Sequence, residues 1–439
     1  MQNIYRNIVL GFTFIIFVAT ILLMLPVSHH GHLSFLDALF TATSAVCVTG
    51  LIVKDTGSDF TIFGQIILTF FMQIGGLGFM TFATLIFITL GKKLSYKEKL
   101  ILSQQFRISS FRDILKFTLK VLKLALIIEF LGFIFLLIGF MRYFDFKHAL
   151  FYAYFHAISA FNNAGFSNFS DSLMHFVDDP IINLTTGTLI VLGGLGFVVY
   201  EDLINYKKRL KKHLSLHTLI VLSVSFFLMI FGAILFFILE KNGVLKNLSW
   251  SAKLFASLFQ SITTRTAGFN TIDLSQLKDI TLFFMMILMF IGAAPGSTAG
   301  GIKVTTVGIL VATFWRVLRG YENVQFWNRR VESSTVFQAF FLLNLGLIIC
   351  IISAFIIADT QKVDILSAMF ETISAFSTVG LSLGDGNSHS LSAKFDNFGK
   401  LLIIFLMFIG RVGVITFFYS ILASSKKDKI KYPKGKVYF

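Results

Sequence analysis

The chain has 439 residues, 55% of them hydrophobic and only 14% charged, with a mean hydropathy of +0.79 and a formal charge of +15. So little charge cannot cover a soluble surface, and apolar stretches of about 20 residues recur from end to end, as in a polytopic helical membrane protein. The positive excess does not point to nucleic acid, because it is gathered in four segments, Lys92–Lys123, Lys207–Lys212, Arg316–Arg330 and Lys426–Lys436, with acids concentrated in the connections between them. By the positive-inside rule these basic segments and both termini are expected on the cytoplasmic side.

The first apolar run, Ile8–Leu25, reads as a span and not as a cleaved leader, since Met1–Asn7 is short and weakly charged. A shorter apolar stretch follows, Leu36–Val46, closing in "FTATSAVCVTGL" (Phe40–Leu51), and then a second span carrying "QIGGLGFM" (Gln73–Met80). The same order returns as Phe117–Phe140, Ala149–Phe161 with "FHAISAFNNAGF" (Phe155–Phe166), and "VLGGLGFV" (Val191–Val198). It returns again as Leu216–Leu239, Ala252–Ile262 with "FQSITTRTAGF" (Phe259–Phe269), and "FIGAAPGSTAGGIK" (Phe290–Lys303). The fourth copy is Val336–Ala358, Ile365–Phe376 with "FETISAFSTVGL" (Phe370–Leu381), and "FIGRVGVI" (Phe408–Ile415). Internal repetition of this kind sets the architecture. The expected fold is an all-α polytopic membrane protein of eight transmembrane helices and four re-entrant pore helices, in four pseudo-fourfold helix–pore loop–helix repeats. The repeats are expected at 1–91, 92–206, 207–330, with a broken second helix, and 331–439, with a basic tail.

Each short stretch is too short to span and ends in a polar, glycine-containing loop, the signature of a re-entrant hairpin. The glycines are Gly50, Gly165, Gly268 and Gly380. Four such loops meeting on one axis could replace the water shell of an ion with backbone carbonyls, which glycine helps to aim inward. The neighbouring side chains differ between copies: Cys47, Val48 and Thr49; Asn162, Asn163 and Ala164; Thr266 and Ala267; Ser377, Thr378 and Val379. Variable side chains around a fixed backbone suit a filter lined by main chain. Glycine also recurs in all four second spans, which suits helices lining a central axis, although small residues in membrane helices commonly serve close packing.

The third second span is interrupted by "GAAPGSTAGG" (Gly292–Gly301). Irregular backbone at membrane depth is tolerated only where it is buried in protein or lines a cavity, so the stretch is expected to unwind beside the pathway. It does not match a nucleotide-binding P-loop, because Lys303 is followed by Val304. Arg411 in the fourth second span needs a partner or a cavity. Glu129, mid-span in the second repeat, is expected as a packing anchor for hairpin backbone, and Arg265 as a brace turned away from the axis. Cys47 and Cys350 have neither metal-ligand spacing nor the numbers for a disulfide framework.

The four glycine hairpins, the eight spans and the broken third-repeat helix resemble the superfamily of TrkH, KtrB and plant HKT cation transporters, over essentially the whole chain. Length and the absence of extra N-terminal spans look most like the KtrB membrane subunits of bacterial Ktr potassium uptake systems. The resemblance implies that Gly50, Gly165, Gly268 and Gly380 are filter glycines. It implies that Gly292, Ala293, Ala294, Pro295, Gly296, Ser297, Thr298, Ala299, Gly300 and Gly301 form an intramembrane gate loop with Arg411 at the constriction. A serine at the first filter glycine goes with sodium preference in some plant relatives, and this chain has Gly50 there, so potassium is the expected cargo. The resemblance further implies potassium uptake across a bacterial plasma membrane, sodium as coupling or activating ion, no covalently bound cofactor, a homodimer in membrane lipid, and a cytosolic KtrA-like ring of nucleotide-binding RCK subunits. An alternating-access transporter would instead show inverted repeats and paired discontinuous helices. An intramembrane enzyme would need a nucleophile elbow, a metal motif or a carboxylate dyad, none of which the sequence contains.

Overall fold

The computed structural model describes residues 2–78, 81, 99–100, 114–210, 212–321, 323–327, 329–384, 386 and 389–422. The expected boundary at 91/92, most of the first basic segment and the tail 423–439 lie outside these residues. Among the described residues, helices account for the fold apart from one small antiparallel ribbon, β1 (Gln325–Phe326) with β2 (Arg329–Arg330). Among the described residues four helices are long and apolar enough to cross a membrane: α1 (Gln2–Leu23), α4 (Ile114–Phe140), α8 (Leu216–Glu240) and α12 (Ser333–Gln361). They bury at most 33% of their most apolar stretch. Phe14, Phe17, Phe130, Phe227 and Phe355 therefore face outward, which is stable only in a hydrocarbon surround. The chain is an all-α polytopic membrane protein.

The four short helices are far more buried: α2 (Phe35–Val46), α5 (Phe146–Phe161), α9 (Trp250–Thr263) and α13 (Ile365–Ser377). Three begin on a side-chain cap, with Ser34, Ser249 and Asp364 accepting the backbone N–H of Asp37, Ala252 and Ser367 at 3.1, 3.1 and 2.9 Å. Each packs on the long helix before it. Their inner turns are surrounded on all sides, so the sequence there is small: Ala42, Thr43, Ser44, Ala45 and Val46 are all fully buried.

The second segments are α3 (Ile62–Leu77), α6 (Pro180–Gly194) with α7 (Phe197–Lys207), α10 (Asp279–Phe290) with α11 (Val304–Leu318), and α14 (Asn397–Val412) with α15 (Val414–Leu422). Each of α3, α6, α10 and α14 packs against the short helix of the following repeat, α3 on α5, α6 on α9, α10 on α13 and α14 on α2, which closes the chain into a circle. One expectation is corrected here. Only the third segment was expected to break, yet the second and fourth turn by 91° and 99°. The cause is the last glycine of each motif: Gly196 (φ 85°) and Gly413 (φ 93°) stop the helix in a conformation L-residues avoid, and Gly78 (φ 86°) ends α3 the same way. The earlier glycines serve packing: a Cβ at Gly75, Gly193 or Gly410 would run into the carbonyl oxygen of Val46, Phe161 or Phe376.

Candidate functional site

At the inner end of each short helix the chain makes the same turn. The N–H groups of Thr49, Ala164 and Val379 return to the carbonyls of Ser44, Ser159 and Ser374 at 2.8 Å, and that of Ala267 to Thr263 at 2.9 Å. The hydroxyls of those four residues fasten the turn again. Gly50 and Gly380 donate their N–H to Ser44 and Ser374 at 3.0 and 3.1 Å, while Ser159 and Thr263 donate to the carbonyls of Phe166 and Phe269 at 2.8 and 2.6 Å.

The backbone between helix and glycine alternates in hand. Val48, Asn163, Thr266 and Thr378 have φ of 50°, 56°, 71° and 53°, the next residue returns to negative φ, and the glycines stand at 93°, 73°, 84° and 91°. Left-handed β-branched residues cost of order 1–3 kcal/mol each, strain that persists only where the surroundings impose it. Alternation turns successive carbonyls toward the same side.

The loops meet in a closed ring. A Cβ on Gly50 would lie 2.6 Å from the Ala164 carbonyl oxygen, one on Gly165 2.7 Å from that of Ala267, and one on Gly268 2.6 Å from that of Val379; one on Gly380 would strike that of Thr49. Only glycine permits this approach. The hydroxyls of Thr49, Thr266, Ser377 and Thr378 are buried there without a partner among the described residues. The C-terminal, electronegative ends of four helices point to the same place. A ring of carbonyls, loose hydroxyls and helix C-termini has the chemistry to replace the water of a cation.

The interrupted segment lies beside this ring. Gly292 N–H donates to the Ile302 carbonyl at 2.8 Å and Val304 N–H to that of Ala293 at 3.2 Å, so the stretch closes on itself as a loop. Ala294 and Thr298 donate to the carbonyls of Gly194 and Gly193 at 3.0 and 3.3 Å, and Gly296 accepts from Phe197 N–H at 3.0 Å, pinning the loop to the bend between α6 and α7. The Thr298 hydroxyl donates to the Phe161 carbonyl at 3.2 Å, and Lys303 Nζ caps the carbonyls of Ala299 and Gly300 at 2.8 and 2.9 Å. A Cβ on Gly300 would strike the Thr378 hydroxyl, which places the loop directly against the fourth turn. Arg411 donates to the carbonyls of Thr298, Gly75 and Gly76. A cavity of about 730 Å³ lies beside the loop, bordered by Gly76, Gly296, Ala299, Gly301, Lys303 and Arg411.

Of the residues singled out from sequence, Thr49 and Gly50, Ala164 and Gly165, Ala267 and Gly268, and Val379 and Gly380 converge on the ring. Cys47 and Asn162 are the C-caps of α2 and α5. Asn162 turns its amide outward, to Gln73 at 2.6 Å and Glu129 at 3.2 Å, and Gln73 in turn donates to Glu129 at 3.0 Å. Arg265 points away, to the carbonyl and hydroxyl of Ser225 at 3.2 and 2.8 Å. Sequence reasoning missed the turn-fastening hydroxyls of Ser44, Ser159, Thr263 and Ser374, although they stand at a fixed place in each quoted motif.

The TrkH family model, described as a cation transport protein, matches residues 2–431. The chain is similar to the Ktr system potassium uptake protein B of Bacillus subtilis, 40% identical over 98% of this chain and 95% of that one. It is similar to the potassium/sodium uptake protein NtpJ of Enterococcus hirae, 36% identical over 97% and 95%. Its fold is similar to the crystal structure of the potassium transporter TrkH from Vibrio parahaemolyticus, with a TM-score of 0.77 and 18% identity, covering 96% of this chain and 85% of that one.

Proposed function

The chain belongs to the TrkH family of cation transport proteins, and we propose that it takes up potassium by passing the ion through the main-chain ring at Gly50, Gly165, Gly268 and Gly380. It is a transporter and not an enzyme, as its relatives are. The observation that carries the reading is the cyclic approach of each glycine to the next repeat's carbonyl, four times in one polypeptide. A cation entering the ring exchanges water for carbonyl oxygens held at fixed spacing, and the spacing sets which alkali ion is matched.

Beside the ring, residues 292–301 stand in the way and Arg411 adds positive charge. Conduction then requires the loop to leave its bonds to Arg411 and to the α6–α7 bend. The repeat boundaries at 91/92, 206/207 and 330/331, placement in a bacterial plasma membrane with both termini cytoplasmic, and a homodimer in lipid belong to the same reading. So does control by a cytosolic nucleotide-binding RCK ring, for which the arginine-bearing ribbon β1–β2 offers a basic face. A sodium requirement is supported by the similarity to a potassium/sodium uptake protein.

The test is rubidium uptake by a potassium-uptake-deficient bacterium expressing the chain, with and without a cytosolic partner. Potassium should compete far better than sodium. Equal inhibition by the two ions rejects potassium selectivity.

A further inference from the structure

Behind the ring the four repeats are not alike. The residue after the first phenylalanine of each motif is Thr41, His156, Gln260 and Glu371, all fully buried. Just past the ring glycines, at one common spacing from these, stand Ile52, Ser167, Thr271 and Ser382. In the second repeat the two positions are joined, His156 Nε2 to Ser167 Oγ at 3.0 Å. In the fourth, Ser382 Oγ donates to Glu371 at 2.6 Å. In the third, the Gln260 amide and the Thr271 hydroxyl have no partner among the described residues. In the first, Thr41 uses its hydroxyl on the Asp37 carbonyl at 2.9 Å, and Ile52 has no polar side chain to offer.

The loops that carry a joined pair then hold a neighbour. Glu371 also accepts from the N–H of Ser392, at 3.0 Å, and from its hydroxyl. Two residues back in that loop, Ser390 donates its N–H to the Ile52 carbonyl at 2.9 Å and accepts the Ile52 N–H on its hydroxyl at 2.9 Å. On the other side, Ser172 accepts the N–H of Asn270 at 3.2 Å, and Leu173 N–H donates to the Asn270 carbonyl at 3.0 Å. Ile52 and Asn270 each stand two residues beyond a ring glycine. The turn-fastening hydroxyls divide along the same line: those of the first and fourth repeats accept from glycine N–H, and those of the second and third donate to a carbonyl.

We propose that Glu371 and His156 are positioning residues for ion selection, each fastening its own ring loop and, through the loop that follows, the loop of one neighbour. The fourfold ring is thereby held as two clamped pairs, fourth with first and second with third. This rests on the ring being the selectivity filter. A carbonyl ring discriminates between ions only while its spacing resists collapse, and buried hydrogen bonds resist most where unpaired groups are costliest. Glu371 meets three donors at once, and His156 is fixed at both ends: Nδ1–H to the Tyr152 carbonyl at 2.8 Å, Nε2 to Ser167, with its ring stacked on Phe169 at 5.1 Å. Both side chains are engaged by loop and helix groups, so each acts through its loop.

The experiment measures sodium against potassium inhibition of rubidium uptake in cells expressing the full chain. The variants are Glu371→Ala, Glu371→Gln, His156→Ala, His156→Gln and Ser390→Ala, with Gly268→Ser as the reference for the filter itself. Discrimination should fall about tenfold in the two alanine variants, the size expected when a buried hydrogen-bonded group is removed, and recover most of the way in the glutamine variants. Ser390→Ala, which deletes a tie to the first loop while sparing Glu371, should also lower it, and decides the matter if the alanine variants fail to fold. Unchanged discrimination in Ser390→Ala and in any transporting alanine variant, with Gly268→Ser altered, overturns the clamp alone. Unchanged discrimination in Gly268→Ser overturns the filter reading and the clamp together.

Discussion

Arg411 donates through its guanidinium to the carbonyl of Thr298, and the same group reaches the carbonyls of Gly75 and Gly76, the latter at 2.9 Å. One side chain of the fourth repeat thus ties the loop of the third to the end of α3 in the first. Removing it should free the loop. Arg411→Ala, or deletion of Gly296–Gly300, is expected to raise rubidium flux in the absence of any activating partner by roughly tenfold or more, since hydrogen bonds to a charged group contribute about 1.5–3 kcal/mol each. Arg411→Lys should raise it too, because an ammonium lacks the planar fork that spans separate carbonyls. Partner-free flux measured in vesicles and unchanged by these variants would refute the gate.

Gly50→Ser should weaken potassium preference. Its Cβ would sit 2.6 Å from the Ala164 carbonyl oxygen, and the position holds φ of 93°, so the ring must widen or twist to admit it. A drop of about tenfold or more in potassium-over-sodium competition is expected from strain of order 1–3 kcal/mol. Gly380→Ala, aimed at the Thr49 carbonyl, should be at least as severe.

Glu129→Ala should cost stability more than transport. The carboxylate is buried and takes hydrogen bonds from Gln73 and Asn162, which the substitution would leave short of an acceptor. A loss of about 2 kcal/mol is expected. Thermal unfolding in detergent reads it, and Glu129→Gln should recover part of the loss. A variant as stable as the parent sinks the anchor role.

Lys400 meets Asp37 at 2.7 Å, both largely buried, joining the first turn of α14 to that of α2. Burial alone would raise the Asp37 carboxyl, but the hydrogen bonds from Lys400 and Ser34 outweigh it and hold the pKa below the ordinary carboxylate value. A depressed folded pKa means the contribution is full above the unfolded value and disappears as pH falls through the folded one. Lys400→Met should therefore lower stability by about 1 kcal/mol near neutral pH, with the gap to the parent closing in acid. A pH-independent gap would place the cost in packing.

The four long spans and the four short helices could be read from the sequence because hydrophobic run length is a local property, and the structure begins α8 and α13 at Leu216 and Ile365 as read. The bends at Gly196 and Gly413 could not, because a glycine pair in an apolar run looks the same whether it serves packing or a break. Both uses occur within one motif, Gly193 for contact and Gly196 for the turn. The ring glycines were found through repetition, whereas the cap roles of Cys47 and Asn162 have no sequence signal of their own. The ties from His156 and Glu371 cross irregular loops, where no periodicity relates one residue to another. Repetition even hid them, since they lie where the copies differ.

Joining the four loops covalently has a consequence for how such a ring can change. In an assembly of identical subunits a codon change strikes every quadrant at once, and most would be ruinous. Here each quadrant has its own codons, so Gly50 or Ser390 can vary while the opposite side keeps its form. The ring can drift away from perfect symmetry by small, separately heritable steps.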